Sequence, residues 1–179
     1  SGAPFAEDNP QGMIFLLEQL APEGVALVHR TPAVNAELVR RSGVPLDVRR
    51  AALEDLAAER GVARISILLE EWAALDEGSG EGGADEALAG LLGEMPTAEL
   101  AAERGRLEAL ASGARLDPIR EGAFAALAHL DGSIESAWRL ASASEQGRVD
   151  LLAGVAPAGD SQLGSELLPQ LTASLGPRP

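Results

Sequence analysis

The side chains with the greatest capacity for metal or haem chemistry in this chain are two histidines. His29 and His129 are the only histidines, so a shared metal or bis-histidine haem site would need both to converge. They lie 100 residues apart, and neither has a second histidine one helical turn away. His129 falls near the end of a predicted helix, where an imidazole can bind a free carbonyl group. We therefore predict no metal or cofactor site, and rank non-covalent haem binding through either histidine as the third hypothesis.

Paired carboxylates could support acid–base catalysis, and the candidate pair is Glu70 and Glu71 on a predicted helix. Adjacent helical residues point about 100° apart, so these two cannot act as a catalytic pair as they stand. The chain also lacks a G-x-S-x-G nucleophile elbow, a cysteine nucleophile and a lysine for a phosphate-binding loop. We predict no catalytic residue and no enzymatic activity. The alternative is an enzyme with a carboxylate acid/base site in a helical groove.

An acidic, glycine-rich stretch, DEGSGEGGADE, runs from Asp76 to Glu86 and allows two interpretations. A calcium-binding loop is one, but the acidic spacing does not follow D-x-[DN]-x-[DN]-G, and no glutamate falls where that loop needs a bidentate ligand. Without large apolar side chains to anchor it, the stretch is instead typical of a flexible, solvated loop. We predict a flexible loop over 76–86.

The composition limits the kind of core and the kinds of site that the chain can form. Hydrophobic residues make up 46% of the 179 residues but aromatic residues only 3%, which predicts a core of leucine, alanine, valine and isoleucine. The net charge of −14 argues against binding to nucleic acid or to an anionic membrane surface. The absence of cysteine excludes disulfides, thiolate metal sites and covalent haem within the chain. No apolar run approaches the roughly 18 residues that suggest a membrane span.

Helix start and stop signals recur along the first third of the chain. Asn9 and Pro10 predict the beginning of one helix, and Thr31 and Pro32 that of another, which Gly43 ends. Between them the stretch GVALVHR is compatible with a strand or a short helix, and its helical surroundings favour the helix. The first third of the chain therefore predicts an all-α fold.

The next two helices are predicted to form an antiparallel hairpin. One runs from Leu46 to Arg60 and ends at Gly61, where a left-handed residue is expected. The other carries an apolar stripe at helical spacing, formed by Ile65, Leu68, Leu69, Trp72 and Leu75. So short a join leaves antiparallel packing as the way to bury both stripes.

The same signals continue through the second half. A helix through Leu88 is broken at Pro96, and Thr97 is predicted to cap a helix that continues through Gly105 to Gly113. Further predicted caps are Asp117, Ser133 and Ser142, the last in a capping box with Glu145, and a final helix carries Leu163, Leu167 and Leu171.

The chain contains two internal sequence similarities, which differ in how strongly they indicate a structural repeat. The hexapeptide LAAERG occurs at 56–61 and 100–105, but its glycine ends a helix in the first copy and lies within one in the second, so the copies are not equivalent. VRRAALEDLAAERG from Val48 instead aligns with IREGAFAALAHLDG from Ile119 at a constant offset of 71 residues. That offset is typical of two steps of a helix-pair repeat of about 35 residues, although two unrelated amphipathic helices remain the alternative.

Each of the aligned helices is followed by a helix that carries one tryptophan, Trp72 in the first case and Trp138 in the second. Both side chains continue an apolar stripe, so we expect core anchors rather than ligand platforms. We predict that they are structural equivalents, each filling the space within its own helical hairpin.

Four stretches of the chain carry a resemblance to a known family. They are RTPAVNAELVRRSGVPLDVRRAALEDLAAERG, PTAELAAERGRLEALASG, REGAFAALAHLDGSIESAWRLASAS and RVDLLAGVAPAGDSQLGSELLPQLTASL, which together cover most of residues 30 to 175. The helix-pair pattern resembles a HEAT-type α-solenoid, and these stretches resemble the helical region of large exported bacterial c-type cytochromes of the planctomycete type. The haem signature CxxCH is absent here.

The resemblance implies an all-α fold in which antiparallel helical hairpins stack as a short HEAT-like α-solenoid. The chain would form one domain, 1–179, with a subdivision into 1–75 and 87–179 left open. It would serve as a non-catalytic scaffold or docking domain of a larger exported, periplasmic electron-transfer protein. Its partners would be neighbouring haem or cupredoxin-like domains, or other proteins, without nucleic acid, a membrane span or a cofactor of its own.

Overall fold

A computed structural model of the chain describes residues 15–16, 19–21, 24–25, 27–78, 84–156 and 161–174. Within these ranges all regular secondary structure is helical and no strand occurs, which confirms the all-α class. The helices are α1 (Pro32–Arg40), α2 (Leu46–Arg60), α3 (Arg64–Glu77), α4 (Ala84–Leu92), α5 (Thr97–Ala102), α6 (Arg104–Gly113), α7 (Asp117–Asp131), α8 (Glu135–Ala141), α9 (Glu145–Val155) and α10 (Ser161–Ser174). Among the described residues, no helix is both long enough and apolar enough to cross a membrane.

Local signals placed α1 and α2 correctly. The Thr31 hydroxyl accepts a hydrogen bond from the backbone N–H of Val34 at 3.3 Å, so Thr31 is the N-cap of α1 as predicted. Gly43 has φ 80° in the turn that follows α1. The helix α2 has the predicted bounds and ends at Gly61, whose φ of 63° lies in the left-handed region that glycine adopts without strain.

Four predicted caps are wrong, each by one or two residues. Ser133 lies one residue before Ile134, the N-cap of α8, and its hydroxyl accepts from the backbone N–H of Glu135 at 3.2 Å. Thr97 is the first residue of α5 rather than its cap, and Asp117 is the first residue of α7. The cap of α9 is Ser144, whose hydroxyl accepts from the backbone N–H of Gly147 at 2.9 Å, and not Ser142. The observed N-caps of α5, α7 and α8 are Pro96, Leu116 and Ile134, and none of them makes a side-chain capping hydrogen bond.

The helix predicted from Thr97 to Gly113 is divided in two. The chain turns at Glu103, which separates α5 from α6, so Gly105 lies in the first turn of α6. The Glu103 carboxylate accepts a hydrogen bond from the Ser66 hydroxyl of α3 at 2.8 Å. The two LAAERG copies are still inequivalent, because the first ends a helix and the second spans this break.

The predicted loop over 76–86 includes helical residues at both ends, and its central residues 79–83 lie outside the described residues. Asp76 and Glu77 complete α3, and residues 84–86 belong to α4. Of the other predictions for the N-terminal part, the helix expected from Asn9 lies mostly outside the described residues. In the stretch GVALVHR, Gly24 and Val25 are helical, and residues 27–30 are not.

The core is organised around α7. This helix packs against α4, α5, α6, α8 and α9, and α1 packs closely on α2. Two glycines mark close approaches to α7: at Gly154 of α9 an added Cβ would meet the Glu121 carbonyl oxygen, and at Gly122 of α7 it would lie 2.6 Å from the Trp72 ring atom Cη2. Trp72 is 1% exposed, so α7 can lie this close to α3 only because residue 122 has no side chain. Most of the predicted apolar stripes are buried, including Ala52, Leu53, Leu56, Leu68, Leu69, Leu88 and Leu107.

The helices α2 and α7 match in detail. Each has 15 residues, and their first residues are 71 positions apart. Gly132 ends α7 with φ 60°, as Gly61 ends α2. The backbone N–H after each glycine returns to an equivalent carbonyl group, from Val62 to Ala57 at 3.1 Å and from Ser133 to Ala128 at 3.3 Å. The offset found in the sequence therefore relates two helices of the same length and the same C-terminal geometry.

Candidate functional site

A large concave feature among the described residues lies between α4, α7, α9 and the start of α10. This central groove has a volume of about 720 Å³ and is open to solvent. Ala89 lines it from α4, Gly93 from the turn after α4, Ala125 from α7, Val155 from α9 and Leu163 from α10. A volume of this order is typical of ligand and segment binding sites.

The floor of the central groove is one face of α7. Pro118, Gly122, Ala125 and His129 lie at i, i+4, i+7 and i+11, which places them along a single stripe. The stripe is about 16 Å long at the helical rise of 1.5 Å per residue. Gly122 lies on this stripe, and an added Cβ there would meet the Trp72 ring at 2.6 Å and the Ala89 Cβ at 3.7 Å.

Two polar side chains, Glu121 and His129, line the central groove among the described residues. They are eight residues apart on α7, which corresponds to about 12 Å along the helix axis. Acid and base groups that act on the same bond must both lie within hydrogen-bond reach of it, directly or through one water. This pair is too widely separated for that chemistry.

A second groove, of about 450 Å³, lies between α6, α7 and α8. Arg104, Glu108 and Arg139 line it together with apolar side chains. Arg104 is paired with Asp131 and also contacts Glu108 at 3.5 Å, and the hydrogen bond that Arg104 donates to Asp131 raises the pKa of the Arg104 guanidinium. Arg139 is paired with Glu135 at 3.3 Å. Both arginines that line the second groove therefore have carboxylate partners in the same chain.

The two adjacent glutamates diverge as the sequence predicted. Glu70 binds Arg60 at 2.6 Å, whereas Glu71 faces Arg40 of α1 at 3.6 Å. Burial raises the pKa of the Glu71 carboxyl, and the nearby Arg40 opposes that shift only in part. Glu71 lines neither groove. A raised pKa and a cavity, the combination expected of a carboxylate acid/base site, therefore do not coincide at this residue.

The histidines lie in different settings. His29 is exposed in the segment before α1, and His129 is exposed near the end of α7, at the margin of the central groove. Among the described residues no group of three or more histidine, aspartate or glutamate side chains is placed to hold a metal ion. The helix position predicted for His129 is confirmed. Its place beside the groove was not visible in the sequence.

Sequence reasoning missed the roles of two arginines, the partly buried Arg120 and the buried Arg49. Arg120 donates to Asp150, which is 1% exposed, at 2.6 Å, and to the carbonyl group of Ala114 at 2.8 Å. Gln146 donates to the same carboxylate at 2.8 Å. These bonds join α7, α9 and the end of α6, and the hydrogen bond with Asp150 raises the pKa of Arg120.

Arg49 occupies the matching position of α2. It is 7% exposed and donates from Nε to the carbonyl group of Val39 at 3.3 Å, near the C-terminus of α1. Its Nη2 atom is buried without a hydrogen-bond partner, and burial lowers the pKa of the guanidinium. Arg49 and Arg120 were aligned by the offset of 71, which was the signal that could have assigned them a shared role.

The two tryptophans are not equivalent in burial. Trp72 is 1% exposed and reaches across to Gly122 on α7, rather than filling only the hairpin of α2 and α3. Its indole Nε1 is buried without a hydrogen-bond partner. Trp138 is partly buried and packs at the margin of the core. The prediction that each fills its own hairpin is wrong for Trp72, because the absence of a side chain at residue 122 opens a position outside the hairpin.

The central groove is thus a shallow apolar surface with separated polar groups, and the strong polar networks of the molecule lie at helix junctions. Comparison with known proteins adds no assignment to this geometry. No family model matches the chain, and no curated protein or solved structure matches it with significant similarity.

Proposed function

We propose that this chain is a non-catalytic docking domain built from stacked helix pairs in a HEAT-like arrangement. It acts as a scaffold within a larger exported electron-transfer protein and carries no cofactor of its own. Its partners are neighbouring domains, haem or cupredoxin-like, or other proteins. The family resemblance of residues 30 to 175 supports the periplasmic location and the presence of neighbouring redox domains.

The match between the two helix pairs supports the repeat arrangement. In each pair the arginine at the fourth position of the second helix donates to a carbonyl group at the end of the helix before it, from Arg49 to Val39 and from Arg120 to Ala114. Both second helices end in a left-handed glycine. Helix-pair repeats owe their stability to contacts of this kind within and between neighbours.

The observation that carries the docking role is the central groove. It is open, lined mainly by alanine, glycine and aliphatic side chains, and long enough to accept several side chains of a partner. Glu121 and His129 are too far apart along α7 to act on one bond. A surface of this kind binds a complementary segment better than it activates a substrate.

The experiment uses the protein that contains this chain. Its remaining domains and this chain are produced separately and titrated by calorimetry, after the full sequence has been inspected for a CxxCH module. We expect saturable, reversible binding of a neighbouring domain. If none of those domains binds and a substrate is turned over by the chain alone, the docking role is rejected in favour of an enzyme.

A further inference from the structure

We propose that α10 is a lid helix, which undocks from the rest of the molecule as one unit and thereby opens the end of the central groove. This property is separate from the docking function, since it concerns how α10 is attached and not what binds in the groove. Three features of α10 support it: the narrow apolar face that it buries, its partly exposed polar link to the start of α8, and the weakness of the helix itself.

The apolar face that attaches α10 is narrow. Leu163 and Leu167, one helical turn apart, are 5% and 6% exposed. The next side chain, Leu168, is 67% exposed, and Pro169 and Thr172 are exposed as well. By comparison α7, a helix of similar length, buries six side chains. Among its described side chains, α10 therefore has a much smaller contact with the core than a central helix has.

A carboxylate links α10 to the turn before α8. Glu166 accepts hydrogen bonds from the backbone N–H of Ile134 at 3.0 Å and from the Ser133 hydroxyl at 3.1 Å. The side chains of Glu166 and Ser133 are both partly exposed. Water can therefore replace these bonds when α10 leaves, and the net cost of exchanging them is small. A link of this kind holds the helix in place and can still open reversibly.

The helix itself is weak without its docking contacts. Pro169 lies inside α10 and has no N–H to donate to the preceding turn. The first turn has no acidic residue and the last turn has no basic one, so the helix dipole is not compensated at either end. A helix of 14 residues is marginal in water even with a favourable sequence. Docking and helix formation are therefore coupled, and α10 opens as one unit.

The position of α10 makes it a lid. Leu163, near its start, lines the central groove together with Val155 at the end of α9, which is 2% exposed. Undocking removes Leu163 from the groove and makes Val155 accessible to solvent. The helix α7 is still covered by α4, α5, α6, α8 and α9 after α10 has left. Opening is thus a local event, compatible with one global unfolding transition.

Hydrogen exchange of the whole chain, followed by mass spectrometry, measures the opening of α10. In the unaltered chain the α10 amides should be protected, but should exchange at least about tenfold faster than those of α7. Their exchange should also depend less on urea, because undocking one helix exposes less surface than global unfolding.

Two adjacent leucines provide a matched pair of variants. Leu167→Ala removes a docked side chain and should speed exchange of α10 at least about tenfold, while α7 stays within about twofold. Leu168→Ala removes the exposed neighbour and should leave both helices within about twofold. Glu166→Ala, which removes the link to Ser133 and Ile134, should act on α10 as Leu167→Ala does.

Thiol labelling tests whether opening uncovers the groove. The chain contains no cysteine, so Val155→Cys introduces a single thiol beneath the lid. Val39→Cys is the control, since Val39 is buried in α1, which does not line the groove. Adding Glu166→Ala should speed labelling of Val155→Cys with a maleimide by about the same factor as it speeds α10 exchange, and should leave Val39→Cys within about twofold.

Three results would overturn the lid assignment. Equal acceleration of α7 and α10 exchange by Leu167→Ala would make α10 an integral part of the core. Unprotected α10 amides in the unaltered chain would show that the helix is not docked. Faster α10 exchange with unchanged labelling of Val155→Cys would show that α10 does not close the groove. Binding of neighbouring domains is a separate measurement, and its failure would reject the docking function alone.

Discussion

The two matched arginines show how the same residue in the same position can have different energetic consequences. Arg120 has a buried carboxylate partner, Asp150, and its bonds extend to the end of α6. Arg49 donates from Nε to a backbone carbonyl group, and its buried Nη2 atom has no hydrogen-bond partner. Position 79, which matches Asp150 at the offset of 71 in the sequence, is a serine and lies outside the described residues.

We predict that Arg120→Met destabilises the chain by about 3–5 kcal/mol, because it leaves the buried Asp150 carboxylate without its cation. Arg49→Met should change the free energy of unfolding by about 1 kcal/mol or less, since an apolar side chain replaces a cation that is already poorly paired. Urea denaturation measures both. The double variant Arg120→Met, Asp150→Leu should recover part of the loss, and equal effects of the two single changes would contradict this account.

The second residue-scale prediction concerns Glu71. Its folded pKa is raised by burial above the unfolded value of about 4.3, so the folded protein binds this proton more tightly. The resulting contribution to stability is present below the unfolded pKa and is lost as pH rises through the folded pKa. Glu71→Gln should therefore stabilise the chain at neutral pH, with the gain shrinking as pH falls towards about 4.

The control for this prediction is the neighbouring residue. Glu70→Gln removes a carboxylate that is 46% exposed and paired with Arg60, and a surface pair of this kind contributes little to stability. Thermal unfolding curves from pH 4 to pH 8 measure both variants. A stability gain from Glu71→Gln that is the same at every pH would show that ionisation is not its cause.

At the scale of elements, the molecule joins distant helices by placing a carboxylate at a helix start. The Asp76 carboxylate of α3 accepts from the backbone N–H groups of Arg115 and Leu116 at 2.7 and 2.8 Å, just before α7. Glu166 of α10 does the same for Ile134 before α8 at 3.0 Å. Such contacts satisfy backbone donors and place a negative charge at the positive end of a helix.

We predict that Asp76→Ala costs about 1–2 kcal/mol, because it removes two backbone hydrogen bonds at the start of α7. Glu77→Ala, which changes the next and exposed residue, is the control and should cost much less. Chemical denaturation of the two variants gives the comparison. Similar losses from both would mean that the Asp76 contact contributes nothing to the stability of α7.

The tryptophans test the packing of α3 and α8. Trp72→Ala should cost about 3–5 kcal/mol, since it empties a fully buried site next to Gly122. Trp138→Ala should cost less, about 1–2 kcal/mol, because only part of its side chain is removed from water. Melting temperatures and denaturant midpoints should rank the two variants in this order. The reverse order would contradict the assignment of Trp72 as the central anchor.

At the scale of the whole molecule, contacts cross the boundary at which the sequence allowed a subdivision. α3 packs on α4, α5 and α6, and α1 packs on α4. Trp72 also lies against Gly122 on α7, which belongs to the C-terminal half of the chain. The central groove is built from α4, α7, α9 and α10, so its shape depends on these contacts being formed together.

We therefore predict one cooperative unfolding transition for the chain. The calorimetric enthalpy should equal the van't Hoff enthalpy, as for a single domain. Tryptophan fluorescence, which reports chiefly on Trp72 in the buried core, should change together with the far-ultraviolet circular dichroism. Two separated transitions would instead favour units at 1–75 and 87–179.

The sequence by itself determined the all-α class, several helix bounds and most of the buried stripes, because these depend on local chemistry. Thr31 and Gly61 mark helix ends through their own side chain or backbone freedom, and the bounds of α2 follow directly. The divergence of Glu70 and Glu71 follows from helical periodicity alone.

Only the tertiary structure decided which residues meet across the chain. The Asp76 contact with the start of α7, the Arg120–Asp150 pair and the position of Trp72 under Gly122 join residues at least 30 positions apart. The central groove likewise depends on how α4, α7 and α9 pack, since alanine and glycine are as compatible with a buried helix face as with an open one. Contacts at this range are set by the sum of packing and charge over the whole molecule, which no local pattern encodes.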